Sequence, residues 1–257
     1  MIRIIKSFII AFSMYSKIPM PRVECKEEDM LYVFCFFPFV GAIIGALIVG
    51  WNYLCIRFEI PSICRILIST AIPIIVTGGI HVDGFMDVCD ALCSYKDKEE
   101  KLKILKDPHI GAFSVIMLAL YGLLFVGALS FVTDLKAVII FALSFVVSRT
   151  LSAFAAVNLK KAKEGTLSTF SKSSQRVIVN ICVIIEMLLC FAGMFFINPI
   201  VCLVQLLCAV LSFTFYYFKT KKEFGGVTGD TAGYFVLVTE LISLFGLAVC
   251  SFLKIWG

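Results

Sequence analysis

Apolar residues run along this chain in long blocks, separated by short polar clusters in which glycine, proline, lysine and aspartate concentrate. A helix needs about 20 apolar residues to cross the hydrocarbon of a bilayer. Seven such runs can be drawn, at 31–54, 63–80, 111–132, 136–157, 177–197, 200–218 and 232–253. Ahead of them, Arg3, Lys6, Phe8, Phe12, Tyr15 and Lys17 mix charge with aromatic bulk in a segment that Pro19 and Pro21 close, which predicts a helix lying on the membrane surface. The expected fold class is all-α: a polytopic membrane bundle of about seven spanning helices plus an N-terminal interfacial helix. No internal repeat or long linker divides the chain, so 1–257 reads as one membrane-embedded domain.

Composition agrees, because 60% hydrophobic and 16% charged residues with a mean hydropathy of +1.00 exclude an ordinary soluble domain. Charge adds an orientation. Of 23 Lys and Arg, 18 fall in the N-terminal 30 residues, the 81–110 connection, the segment from Lys160 to Arg176, and Lys219 to Lys222. The alternate connections hold only Arg57, Arg65, Lys136 and Lys254. By the positive-inside bias the N-terminus is expected in the cytoplasm and the C-terminus outside. The outer connections are very short, as at Thr133–Leu135 and Asn198–Pro199, so function is expected on the inner face. The eleven cysteines form no CxxC pair and read as small buried hydrophobes, and two histidines are too few for a histidine-built zinc centre. The start lacks a secretory cleavage pattern, and no nucleic-acid partner is expected. The run KDKEEKLKILKD, from Lys96, reads as a solvated helix face with close ion pairs.

Chemistry concentrates in GGIHVDGFMDVCDAL, Gly78 to Leu92. At about 100° per residue, Asp83, Asp87 and Asp90 fall within an arc of about 60° on one helical face. Three carboxylates so placed repel one another unless a cation joins them, and hard divalent ions such as Mg²⁺ are held by carboxylate oxygens together with substrate phosphates. Gly84 permits close backbone approach, and Gly78 and Gly79 let the chain bend before His81. His81 reads as a ligand, a proton acceptor or a satisfied polar residue.

Two further segments suit an anionic partner. In LKDPHIGAFSVI, Asp107 and Pro108 have the form of an N-cap with proline at the first helical position, while Lys106, His109 and Gly111 offer a cation, a ring and open backbone. In EFGGVTGDTAGY, Gly225, Gly226 and Gly229 form a loop that opens into a helix, a natural phosphate cradle. It is not a Walker motif, because the lysine lies upstream. Asp230 either caps that helix or adds a fourth carboxylate to the metal cluster. Arg149, roughly 12 Å deep in its span, and Glu240 are intramembrane charges, expected either to pair with each other or to serve a substrate. Glu186, a third such charge, has no motif around it.

Together these segments, with KIPMP, the SRT of the fourth span and KAKEGTLSTF, resemble the cobalamin synthase family, the adenosylcobinamide-GDP ribazoletransferases. The resemblance covers essentially the whole chain. It implies a Mg²⁺-dependent enzyme of a bacterial or archaeal cytoplasmic membrane, with its site facing the cytoplasm. Such an enzyme joins adenosylcobinamide-GDP to α-ribazole or its 5′-phosphate, giving adenosylcobalamin or its phosphate and releasing GMP. On that basis Asp83, Asp87, Asp90 and Asp230 are expected to hold the metal on the diphosphate. One of the helix carboxylates or His81 would take the proton of the attacking hydroxyl. Lys106, His109, Arg149, Gly225, Gly226, Thr228, Gly229 and Glu240 would form the substrate site. The chain departs from the family pattern at Ala91, where Gly is common, at His109, where Arg is common, and at Ser114, where Gly is common. A CDP-alcohol phosphotransferase also sets spaced aspartates at a bundle mouth, but the alanine–arginine pair and later paired aspartates expected there are absent. A cation transporter would instead track charges through several spans.

Overall fold

In the computed structural model, described residues are all except Met1, Cys25, Glu27, Glu28, Lys163, Glu164, Gly165 and Gly257, and all described side chains except those of Ile2, Thr166 and Phe170. Lys163 and part of the KAKEGTLSTF segment therefore lie outside the described residues. The described elements are helices: α1 (Ile2–Tyr15), α2 (Val33–Arg57), α3 (Ser62–Thr77), α4 (Ile80–Cys93), α5 (Lys98–Ile104), α6 (Ala112–Leu129), α7 (Leu135–Asn158), α8 (Thr166–Ser173), α9 (Arg176–Ile197), α10 (Pro199–Glu223) and α11 (Gly229–Phe252). Six of them, α2, α6, α7, α9, α10 and α11, are long and apolar enough to cross a membrane, and the chain is a multi-pass membrane protein.

The expected second span departs from this pattern. Gly78 and Gly79 take left-handed backbone (φ 64° and 81°), which ends α3 at Thr77 and turns α4 by 94° against it. With 16 residues, α3 reaches about 24 Å, short of the roughly 30 Å of hydrocarbon. The seventh crossing exists only if this bent pair counts as one. The sequence run reads continuous through Ile80 because both glycines are hydropathically neutral; what breaks it is their conformational freedom.

The bundle is organised around α7, 72% of whose span is buried, against 22% for α6 and for α9. Contact with α2 is close because Gly41 and Gly45, one helical turn apart, face it. A Cβ at Gly45 would lie 2.7 Å from the Ala142 carbonyl oxygen, and one at Gly41 would overlap the Phe145 carbonyl. Small residues at this spacing let helices gain van der Waals contact where no hydrophobic drive separates them from lipid. At the end of the bundle opposite to α1, Arg65 is buried and donates to Asn52 Oδ1 (3.0 Å) and the Val132 carbonyl (2.7 Å). That ties α3 to α2 and to the exit of α6. The ten described cysteines are unpaired thiols, six of them buried.

The N-terminal helix packs on α2 through Phe8 against Phe36 and Tyr15 against Phe37, with ring centroids 5.5 and 4.3 Å apart. Just beyond it, the Lys17 amide donates to the Val76 carbonyl (2.8 Å), pinning the chain to the α3–α4 bend. The Lys96–Lys106 run forms α5. Glu100 pairs with Lys96 (3.7 Å) and Lys103 (2.7 Å) on its solvated face, while Lys101 turns inward to Glu223 (2.5 Å) at the end of α10.

Candidate active site

The two signature segments meet where α4 crosses the first turns of α11. A Cβ on Gly84 would lie 2.8 Å from the Asp230 carbonyl oxygen and 3.0 Å from its Cα; one on Gly233 would lie 3.2 Å from His81 Cα. The crossing therefore needs glycine on both helices, and it brings the aspartate helix against the glycine loop. Between them opens a cavity of about 210 Å³ bearing His81, Asp83, Gly229 and Asp230, with Tyr15, Phe34 and Phe37 as an apolar wall. It lies at the end of the bundle where α2 and α11 begin and α7 ends, the end that carries the basic connections. Asp83 is exposed and Asp230 half-buried. His81 is buried, stacked at 6.4 Å on Tyr15 and edge-on at 5.6 Å to Phe37, and its Nε2 makes no hydrogen bond among the described residues.

The remaining sequence-predicted residues divide. Asp87 is half-buried one turn beyond Asp83. The Asp90 carboxylate reaches across to α6 and accepts from the amides of Gly111 (2.8 Å) and Ser114 (2.9 Å). Both oxygens are thus engaged in capping a helix that starts 22 residues later in the chain. This corrects the expectation for Asp107 and Pro108. The helix begins at Ala112 with Gly111 as N-cap, while Asp107 accepts from the His109 amide (3.0 Å) and pairs with its ring (2.6 Å). Those contacts, the amide first, hold the Asp107 carboxyl below its ordinary range. The sequence misled because a cap is defined by geometry, and the preferred acceptor here comes from another helix. Lys106 and His109 are exposed and are not part of the cavity lining.

The glycine loop also does less cradling than expected. Gly226 donates to Thr220 O (3.3 Å), Val227 to Lys160 O (2.8 Å) and Ala162 to Val227 O (3.1 Å), a parallel bridge strapping the loop to the α7–α8 connection. A Cβ on Gly226 would sit 2.5 Å from Lys160 O, so this glycine serves packing, and Gly225 serves the turn with φ 75°. Thr228 caps α11 reciprocally with Thr231: the Thr231 amide donates to Thr228 Oγ1 (3.1 Å) and the Thr228 amide to Thr231 Oγ1 (2.8 Å). Gly229 remains, at the first position of α11, exposed to the cavity with open space where a Cβ would stand. Lys161, beside the strap, donates to the Leu159 carbonyl (2.8 Å). Burial, then the nearby charge of Arg176, pushes its ammonium down to about 8.

Arg149 and Glu240 form a buried ion pair between α7 and α11, with Arg149 also donating to Ser148 Oγ (2.9 Å) and the Phe145 carbonyl (3.2 Å). Neither lines the aspartate cavity. Glu186 lies on α9, half-buried, with Oε2 making no hydrogen bond among the described residues. The structure adds roles that the sequence did not assign: the ring of Tyr15 and Phe37 around His81, the Gly233 crossing and the Lys160–Ala162 strap. Gly233 carried a signal as the small residue of TAGY, and Lys161 and Ala162 as the start of KAKEGTLSTF.

Among the described residues no three His, Cys, Asp or Glu are arranged to hold a metal by themselves. Mg²⁺ seldom uses such a cage; it keeps waters and takes one or two carboxylates plus substrate phosphates. Asp83 and Asp230 on one cavity, beside the open first turn of α11, fit that donor set.

The family model described as cobalamin-5-phosphate synthase matches residues 7–248. The adenosylcobinamide-GDP ribazoletransferase of Lachnoclostridium phytofermentans is 41% identical over 254 residues, covering 98% of this chain and 97% of that protein. Proteins of the same name are similar in Clostridium botulinum strain Alaska E43 (35% identical, 93% of this chain and 96% of that protein) and Listeria monocytogenes (32%, 98% and 99%). No solved structure matches the chain.

Proposed function

The chain belongs to the cobalamin-5-phosphate synthase family, and from that premise we propose how its own residues carry out the transfer. The protein is an adenosylcobinamide-GDP ribazoletransferase, acting in the assembly of the nucleotide loop of cobalamin. The primary hydroxyl of α-ribazole, or of its 5′-phosphate form where that is the acceptor, attacks the cobinamide-side phosphorus of the diphosphate. A P–O bond forms, the bridging P–O bond breaks, and GMP departs with the electron pair.

The observation that carries this reading is the glycine-on-backbone crossing of α4 and α11, which places Asp83, Asp230 and His81 on one cavity. Asp83 and Asp230, with Asp87 one turn along, would hold Mg²⁺. When bound, the ion supplies neutralisation of the charge that builds on the diphosphate and the leaving GMP. Gly229 at the start of α11 offers backbone approach to phosphate oxygens, and the helix N-terminus favours their charge. His81, whose Nε2 makes no hydrogen bond among the described residues, takes the hydroxyl proton. Asp90 braces α6 against the aspartate helix. Tyr15, Phe34 and Phe37 give an apolar face to a corrinoid. The basic connections at this end of the bundle support, by the positive-inside bias, a reading in which it faces the cytoplasm from the cytoplasmic membrane of a bacterial or archaeal cell.

The test is turnover by purified protein in liposomes given adenosylcobinamide-GDP, α-ribazole and Mg²⁺. GMP and a cobalamin product are expected, with both lost on chelation and regained on adding Mg²⁺. Absence of both products with Mg²⁺ present overturns the assignment.

A further inference from the structure

A second cavity, of about 360 Å³, lies among α3, α4, α6, α7 and α11, and the residue common to its lining and that of the aspartate cavity is His81. Its walls are apolar, with Ile74, Leu118 and Phe125, while its floor carries Tyr121 and the Arg149–Glu240 pair. Two buried polar atoms that make no hydrogen bond among the described residues, His81 Nε2 and Arg149 Nε, belong to residues of this lining. Unsatisfied groups in a low-dielectric interior carry a desolvation penalty, so a ligand whose binding relaxes the site enough to satisfy them is favoured there. Glu240, Ser148 and the Phe145 carbonyl take the Nη1 of Arg149, while its Nε makes no hydrogen bond among the described residues. Tyr121 and Phe125 stand 5.7 Å apart at 29° along one side, a surface on which a flat aromatic ring packs. A small-molecule pocket spans roughly 300–1,000 Å³, and a nucleoside is within that range.

We propose that this cavity receives the acceptor alcohol, an apolar aryl nucleoside, with its aromatic base against Tyr121 and Phe125, a ring or sugar acceptor on Arg149, and its primary hydroxyl end at His81. The two substrates then approach the transfer point from separate cavities that meet at one histidine. This rests on the transferase reading given above.

Gly122 supplies the probe. It lines the cavity, and a Cβ there would meet nothing within 4 Å, so Gly122→Leu fills the space without displacing backbone. In liposomes, Gly122→Leu is expected to raise KM for α-ribazole at least 10-fold and leave KM for adenosylcobinamide-GDP unchanged. α-Ribazole alone should raise the unfolding temperature of the wild type and fail to raise that of the variant. Leu118→Phe, narrowing the cavity from another position, should act in the same direction. Gly127→Leu, on the same helix with equally open surroundings but outside this lining, should keep wild-type constants. Turnover with an unchanged α-ribazole KM in both cavity variants overturns this inference alone and gives the space to a lipid chain. An equal rise in both KM values also overturns it. A wild type that releases no GMP brings down the transferase reading and this inference with it.

Discussion

Gly84→Ala tests whether the close crossing of α4 and α11 builds the site. The added methyl would stand 2.8 Å from the Asp230 carbonyl oxygen and 3.0 Å from its Cα, where ordinary van der Waals contact begins at 3.4 Å. Both neighbours are backbone, so no rotamer change relieves the overlap, and the helices must part by about 0.6 Å at the crossing. Overpacking of this kind costs about 1–3 kcal/mol. Removing a glycine from a helix interior returns about 0.5–1 kcal/mol, so the net loss of stability is about 0–2.5 kcal/mol. Activity should suffer more. A misplacement of 1 Å costs on the order of 100-fold, and a shift of about 0.6 Å between Asp83 and Asp230 should lower kcat roughly 10-fold or more. The assay is GMP release in liposomes, read beside the unfolding midpoint of the same preparation. Gly50→Ala, in α2 with nothing within 4 Å of the new methyl, should keep full turnover. Full turnover by Gly84→Ala would refute the claim that contact between these backbones assembles the cavity.

Asp90→Ala should destabilise the protein by about 1–2 kcal/mol, the usual cost of losing a helix cap, because two α6 amides lose their acceptor. Asp83→Asn should leave the unfolding midpoint in place while raising the Mg²⁺ concentration needed for turnover, since Asp83 is exposed on the cavity; identical profiles for the two variants would erase this division of labour. Arg149→Met should cost about 3–5 kcal/mol by stranding Glu240, and adding Glu240→Leu should restore much of it; additive losses in the double variant would show that the pair is not coupled. Lys161 titrates at about 8 in the folded protein against about 10.4 when unfolded. The unfolded chain thus binds more protons between these values, so stability rises with pH from about 8 to about 10.4 and is flat below. Hydrogen exchange at the Val227 and Ala162 amides, after correction for the intrinsic pH dependence, should show protection increasing across that window, and Lys161→Met should abolish the trend.

The sequence by itself determined the helices, because a long apolar run has one way to satisfy its backbone in hydrocarbon, and that is local. It also determined the chemistry on offer: the carboxylates of α4, the glycine loop, and the charges Arg149 and Glu240. The bend at Gly78–Gly79 was legible for the same reason, since left-handed backbone favours glycine. Which groups remain for a substrate was decided only by tertiary contacts. Asp90 looks equivalent to Asp83 along the helix face, yet a neighbouring helix takes its oxygens. Gly226 looks equivalent to Gly229, yet the Lys160 carbonyl closes over one and leaves the other open. Arg149 finds its partner 91 residues away. Periodicity fixes the face on which a side chain stands. What meets that face depends on how distant helices pack, and here two glycines, Gly84 and Gly233, set that meeting.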